Sequence, residues 1–241
     1  MEKTIYLISL RRKFLNKLDF FYDKGYTILE NIFSDTECND INELAHGLKT
    51  KKDFVPIMNI HKSSEKVLKF MSNYKLLEFI ENFFEGNAQG LQTEYFFMPP
   101  GTKGFSPHQD NTYVKAEGNS FISAWIALTD VSSKNGGLMI WPGTHKEEAM
   151  KLRENESLPS KNQDPNARKM SLIIPEKYQV QTPKISKGSA LIIHSWLAHA
   201  SNDNESKKNR NALLCTYIKQ GANFRSGNYA KRQSFNLMKN S

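Results

Sequence analysis

The sequence predicts a mainly β fold, a double-stranded β-helix (jelly roll) packed against an N-terminal helical layer, in a single domain over residues 1–241. The first 90 residues place apolar side chains at helical spacing. From residue 91 onward, short β-rich runs alternate with turn-forming residues, and no helical stretch separates them. A chain of 241 residues is also long enough to bury one core without disulfides.

The helical layer, residues 1–90, begins with apolar side chains at helical spacing, and a short strand is then expected over residues 25–29. The spaced apolar residues are Phe14, Leu15, Leu18, Phe21 and Tyr22. Ser34 and Glu37 match a capping box, which predicts a helix from near Asp35 to Leu48. A second helical stretch is expected over residues 65–84, broken near Asn73 and ended by Gly86.

The jelly-roll core, residues 91–220, should contain five main strands, separated by turns such as Pro99-Pro100-Gly101. The predicted strands are Gln92–Met98, Phe121–Leu128, Gly137–Trp141, Ala190–His194 and Ala212–Ile218. Residues 146–184 are polar, contain four prolines and exceed an ordinary hairpin connection. We therefore expect a flap there, over one mouth of the barrel, and a tail over residues 221–241.

Composition narrows the possible partners. The formal net charge is +8, but lysines are scattered along the chain and form no basic groove interleaved with aromatic residues. This distribution argues against nucleic acid and is compatible with a basic mouth for an anionic small molecule. Cys38 and Cys215 lie far apart, which fits a reducing compartment. The apolar stretch 5–10 is too short for a signal peptide, so we expect a cytoplasmic protein without a membrane span. We expect it to be a monomer or homodimer.

The stretch "SPHQDNTY", residues 106–113, places His108 and Asp110 two positions apart. If this stretch is a strand, both side chains point to the same face and converge, as the first two ligands of a metal site would. A third ligand should come from a distant strand. The candidates are His145, His194 and His199, with His46 and His61 in the helical layer.

Two histidines and one carboxylate that leave one face of the ion open are the ligand set of non-haem Fe(II) oxygenases. Arg210 opens a strand that enters the same barrel. Its planar guanidinium can bind both oxygens of a co-substrate carboxylate at once.

The segments "MPPGTKGFSPHQD", "NGGLMIWPGTHK" and "GSALIIHSWLAHASNDNESKKNRNAL" together resemble the phytanoyl-CoA dioxygenase family of Fe(II)- and 2-oxoglutarate-dependent oxygenases. The similarity spans about residues 20–218. The resemblance implies a catalytic metal triad and a 2-oxoglutarate site. The triad is His108, Asp110 and His199, and the 2-oxoglutarate contacts are Arg210, Ser201, Trp125 and, with a weaker correspondence, Gln92.

Several roles stay open beside this resemblance. Trp125 fits a core position as well as a co-substrate contact, and His145 fits a structural hydrogen bond. His194 competes for the third ligand position, although the family register favours His199. Asn111 and Tyr113 directly follow the second ligand and are candidates to face the substrate.

The implied reaction consumes O2 and 2-oxoglutarate, releases succinate and CO2, and hydroxylates a C–H bond of a small-molecule metabolite. Relatives that halogenate carry a small residue in place of the carboxylate, so Asp110 favours hydroxylation. Two alternatives remain: an oxygenase acting on nucleic acid or protein, and a jelly-roll binding protein without catalysis.

Overall fold

A computed structural model describes residues 14–48, 56–155 and 169–238. The helices are α1 (described over residues 14–24), α2 (Asp35–Leu48), α3 (Glu65–Met71), α4 (Tyr74–Phe84) and α5 (Asn111–Val114). The strands are β1 (Tyr26–Leu29), β2 (Ile57–Met58), β3 (Ala88–Met98), β4 (Phe121–Ala127), β5 (Leu138–Ile140), β6 (Leu152–Glu154), β7 (Met170–Leu172), β8 (Ala190–His194), β9 (His199–Ser201) and β10 (Arg210–Lys219).

The main sheet has six antiparallel strands in the order β1-β8-β4-β10-β3-β2. Strands β5 and β9 form a facing minor sheet, and single bridges to His108 and Gln181 extend it on either side. The chain adopts the predicted jelly roll.

Side chains along the central strands of the main sheet point alternately towards the helices and into the barrel. On β4, Ile122, Ala124 and Ile126 belong to the core shared with the helical layer, whereas Trp125 and Ala127 belong to a second cluster inside the barrel. Because successive residues of a strand point to opposite faces, one strand serves both layers. Polar residues on the barrel face can therefore meet at one site.

The predicted helix boundaries are largely confirmed. Ser34 and Glu37 form the reciprocal capping box: the Glu37 carboxylate accepts from the Ser34 amide at 2.8 Å, and the Ser34 hydroxyl accepts from the Glu37 amide at 3.2 Å. Asn73 separates α3 from α4 and accepts from the Lys75 amide at 3.0 Å. The residue in the left-handed conformation after α4 is Glu85, however, and not Gly86.

The expectation that His108 and Asp110 share a strand is wrong. His108 makes one isolated bridge, and Asp110 already lies in the turn that begins α5. Pro107 has no amide hydrogen to extend a ladder, which limits pairing before His108. Convergence of the two side chains comes from this turn rather than from strand alternation.

The two segments predicted as a flap and a tail have their own structure. Within 146–184, β6 and β7 form a hairpin, while residues 156–168 lie outside the described part of the chain. The tail returns across β3, where Phe235 and Gly90 exchange backbone hydrogen bonds of 2.9 and 3.0 Å. The apolar stretch 5–10 is also outside the described residues. Among the helices that are described, none has the length and apolar character to cross a membrane.

Candidate active site

His108, Asp110 and His199 meet at one point between the two sheets. Each contributes a possible ligand atom, and the three atoms lie within 4.8 Å of one another. The Asp110 Oδ1 atom is 3.7 Å from His108 Nε2 and 3.4 Å from His199 Nε2. The backbones of His108 and His199 exchange two hydrogen bonds, of 2.9 and 3.0 Å, which fix the distance between the two imidazoles.

The remaining polar atoms of the triad already have partners. His108 Nδ1 donates to the Ser106 carbonyl at 2.8 Å, and His199 Nδ1 donates to the Leu197 carbonyl at 3.0 Å. Asp110 Oδ2 accepts from the Ser123 hydroxyl at 2.6 Å. Since a carbonyl can only accept, each Nδ1 carries a proton, which leaves each Nε2 facing the shared centre as the atom that can bind a metal. Two nitrogens and one carboxylate oxygen in this arrangement fit an Fe(II) ion.

The electrostatics favour the protonation states that a metal requires at Asp110 and His108, whereas His199 must lose a proton to bind a metal. Burial alone raises the pKa of Asp110, but His199, His108 and the Ser123 hydroxyl together hold that pKa well below its usual range. Burial, with a contribution from the His199 charge, lowers the pKa of His108 to about 4. Burial also lowers the pKa of His199, but the Asp110 charge outweighs it and leaves that pKa raised. Asp110 is therefore ionised and His108 neutral near pH 7.

Arg210 is a buried cation without an acidic partner among the described residues. Its side chain enters the barrel at the start of β10, where one terminal nitrogen donates to the Met98 sulfur at 2.8 Å. The Nε and Nη1 atoms have no hydrogen-bond partner within the described ranges. Burial lowers the pKa of Arg210 to about 10, so the group stays charged at pH 7. A buried charge left unpaired is costly, so this position fits an anionic ligand.

The other residues expected to bind the co-substrate line the same cavity, whose volume is about 690 Å³. Trp125 lies 5.3 Å from the Arg210 guanidinium, measured to its ring centroid. Ser201 accepts from the Phe105 amide at 2.8 Å, and Gln92 donates to Glu94 at 3.0 Å. The cavity therefore brings the three metal-ligand candidates and all four co-substrate candidates together.

The two candidate substrate contacts differ in placement. Tyr113 lines the cavity and is 46% exposed. Asn111 is fully buried, and its amide makes two hydrogen bonds, of 2.8 and 2.9 Å, with the backbone of Ala116. The expected substrate role of Asn111 is therefore corrected: its side chain closes the turn that follows Asp110.

His145 and His194 lie apart from the triad and form their own pair, with ring centroids 4.9 Å apart. His145 Nε2 donates to the Tyr22 carbonyl at 3.1 Å, while His194 Nε2 contacts the Asn119 side chain at 3.1 Å. The contact with Tyr22 joins the barrel to α1, in agreement with the structural role expected for His145.

Sequence reasoning missed Ser123, which holds Asp110, and two arginines that line the cavity. Ser123 lies two positions before Trp125 on the barrel face of β4, so the strand alternation could have revealed it. Arg225 and Arg232 reach the cavity from the tail. No motif in the sequence points to them.

The family model described as phytanoyl-CoA dioxygenase matches residues 21–212, which include the triad and Arg210. The chain belongs to the phytanoyl-CoA dioxygenase family. It is an Fe(II)- and 2-oxoglutarate-dependent oxygenase.

The similarity to known proteins covers most of this chain. The phytanoyl-CoA dioxygenase of Arabidopsis thaliana is 23% identical over an alignment of 271 positions, gaps included. The alignment covers 90% of this chain and 93% of the relative. Among solved structures, the epimerase SnoN in complex with Fe3+, alpha ketoglutarate and nogalamycin RO has a TM-score of 0.71 at 15% identity, covering 89% of this chain and 87% of that one. The carbocyclase SnoK from nogalamycin biosynthesis has a TM-score of 0.70 at 16% identity, with coverage of 94% and 93%. These two structures show that the fold is shared.

Proposed function

We propose that this oxygenase hydroxylates a C–H bond of a small-molecule metabolite and releases succinate and CO2. The observation that carries the proposal is the shared cavity. Two histidine Nε2 atoms and one carboxylate oxygen converge in the same space as the buried, unpaired guanidinium of Arg210.

The residues divide into three roles in this proposal. His108, Asp110 and His199 hold Fe(II), and the carbonyls behind the two imidazoles keep their rings in place. Arg210 and Ser201 bind the distal carboxylate of 2-oxoglutarate. Bound iron together with this co-substrate supplies the activation of O2 for attack on a substrate C–H bond. Trp125 and Gln92 line the co-substrate region, and Tyr113 faces the substrate.

Two arguments support hydroxylation of a small molecule over other outcomes. Asp110 occupies the position that a halide would need, and the Ser123 hydroxyl holds it there. The cavity volume of about 690 Å³ lies within the range of small-molecule sites. We further propose that the protein is a monomer or homodimer and binds neither nucleic acid nor membrane.

We also place the protein in the cytoplasm. Both cysteines, Cys38 and Cys215, are free and buried in the structure. Thiols that persist without a disulfide fit a reducing compartment.

A metabolite library incubated with protein, Fe(II), 2-oxoglutarate and ¹⁸O₂ tests the proposal. We expect mass spectrometry to find a product that has gained one labelled oxygen atom, with succinate formed in equal amount. The Asp110→Ala variant is the matched control, since it removes one ligand and should abolish both signals. If every compound in the library stayed unlabelled while succinate gained labelled oxygen, the result would contradict hydroxylation of a small molecule in that library.

A further inference from the structure

The tail supplies one wall of the active-site cavity. Six residues of the segment 225–232 line it, although the segment lies beyond the region that matches the family model, residues 21–212. The segment forms a closed turn, because Ser226 and Arg232 are joined by hydrogen bonds of 2.9 Å through the Arg232 amide and the Ser226 hydroxyl. It is fixed at one end to α5, where the Arg225 amide donates to the Val114 carbonyl at 2.6 Å. At the other end it pairs with Gly90 through Phe235.

This wall carries two arginines. Arg232 is half-buried, and its Nη1 atom donates to the Tyr113 carbonyl at 3.3 Å. Its Nε atom is buried and has no hydrogen-bond partner among the residues described. Arg225 donates to the same carbonyl from Nε at 2.9 Å, which holds its charge beside that of Arg232. Lys169, immediately before β7, adds a third cation to the lining of the cavity.

The charges in the cavity leave this region positive. In the proposed function, four formal charges around the metal sum to zero. They are those of Fe(II), Asp110, doubly ionised 2-oxoglutarate and Arg210. The other charged groups lining the cavity are Arg225, Arg232, Lys169 and Glu94, so positive charge is in excess by two. Such an excess in a cleft raises the local concentration of anions.

We propose that residues 225–232 form an anion subsite in which Arg232 binds the carboxylate or phosphate of an organic substrate. A guanidinium matches the paired oxygens of either group. The apolar body of that substrate would lie along the neighbouring walls formed by Met58, Phe96 and Phe105. This inference rests on the proposed function and narrows its substrate class to amphipathic organic anions.

Three probes with the same apolar chain test the subsite: octanoate, octanamide and octyl phosphate. Calorimetric titrations use the anaerobic protein saturated with Fe(II) and 2-oxoglutarate, and the metal-to-ligand absorption confirms that the co-substrate stays bound. We expect octanoate or octyl phosphate to bind at least about tenfold more tightly than octanamide, since hydrogen bonds to charged groups are stronger than neutral ones. Whichever anion binds more tightly identifies the headgroup.

Arg232→Gln should reduce this preference for anions at least about tenfold, and Arg232→Lys should recover part of it, because the charge returns without the planar fork. Lys231→Gln is the matched control, since it removes the same charge from the neighbouring exposed position. The control should keep the wild-type preference.

Three results would overturn the subsite. They are equal binding of octanoate, octyl phosphate and octanamide, binding of none of the three, and an equal effect of Arg232→Gln and Lys231→Gln. Failure of the proposed function gives a different signal, because the ¹⁸O₂ screen would then label succinate alone, whereas these binding titrations contain no oxygen.

Discussion

At the scale of single residues, the hydrogen bonds behind the three proposed metal ligands define the site as much as the ligands do. Ser106 and Leu197 hold the two imidazoles through their carbonyls, and Ser123 holds the carboxylate. Each ligand therefore has one free atom and one fixed orientation. Such preorganisation reduces the ordering needed when a metal binds.

Alanine substitution of His108, Asp110 or His199 should weaken Fe(II) binding by more than about a hundredfold, because even the loss of a supporting hydrogen bond costs tenfold to a hundredfold. His145→Ala and His194→Ala should keep the wild-type affinity, since both rings lie in a separate pair. Anaerobic metal titration of the five variants measures this. Wild-type affinity in His199→Ala together with loss in His194→Ala would reverse the assignment of the third ligand.

Arg210→Ala should leave Fe(II) affinity nearly unchanged and weaken 2-oxoglutarate binding. Hydrogen bonds to charged groups contribute about 1.5–3 kcal/mol each, so the dissociation constant should rise about tenfold or more. Arg210→Lys should recover part of the loss, because an ammonium keeps the charge without two parallel bonds. The readout is the metal-to-ligand absorption in an anaerobic titration with 2-oxoglutarate. Unchanged affinity in the alanine variant would remove Arg210 from the co-substrate site.

The sequence predicts the triad, but partly for the wrong reason. Spacing and resemblance together select His108, Asp110 and His199, yet strand alternation does not produce their convergence, because Asp110 lies in a turn. The substrate role predicted for Asn111 failed for a related reason: a short polar side chain inside a turn can bond to the local backbone, as it does with Ala116.

At the scale of elements, β9, the strand that carries the proposed distal ligand His199, depends on a close approach to Gly104. A Cβ atom at Gly104 would lie 1.9 Å from the Ser201 carbonyl oxygen, whereas a Cβ atom at the exposed Gly47 of α2 would have no heavy atom within 4 Å. The backbone at Gly104 therefore has no room for a larger residue, and β9 would have to shift.

Gly104→Ala should lower the free energy of unfolding by about 1–3 kcal/mol, the usual cost of overpacking, and should weaken Fe(II) binding through displacement of β9. Gly47→Ala is the matched control and should stabilise the protein by up to about 1 kcal/mol, because alanine favours a helix. Urea unfolding and metal titration of both variants measure these effects. Equal stability of the two variants would show that β9 accommodates the added methyl group.

The segment predicted as a flap, residues 146–184, should gate the cavity. In its described part, β6 is exposed and pairs with β7, and Met170 of β7 lines the cavity. We expect the amides of residues 146–155 and 169–184 to exchange rapidly in the free protein and more slowly with a substrate found in the library screen. Hydrogen exchange measures this, with β10 as the internal control. Strong protection in both states would contradict a gating role.

Most elements of the fold were predictable because local signals and tertiary packing agree. The capping box at Ser34 and the break at Asn73 are local, and both are confirmed. The strands β3 and β10 begin earlier than predicted, at Ala88 and Arg210, because each is extended by pairing with the other. The contribution of the tail to the cavity depends on contacts with Gly90 and α5, which no local pattern encodes.

At the scale of the whole molecule, two layers share one sheet. The outward face of β4 and β10 packs on the helices through a continuous apolar cluster, and the inward face holds the site. The helical layer therefore supports the catalytic cavity without contributing any of the three ligands. Changes in α1–α4, none of whose described residues lines the cavity, should act on the activity through the stability of the fold rather than through the chemistry.

The position of β10 also has a consequence for synthesis on the ribosome. This strand is the last of the main sheet in the sequence, yet it lies between β4 and β3, in the middle. Until residues 210–219 have left the exit tunnel, the sheet remains in two halves, and each half presents an unpaired inner edge. Exposed strand edges promote aggregation, so a nascent chain interrupted before Arg210 should depend on chaperones far more than the finished protein.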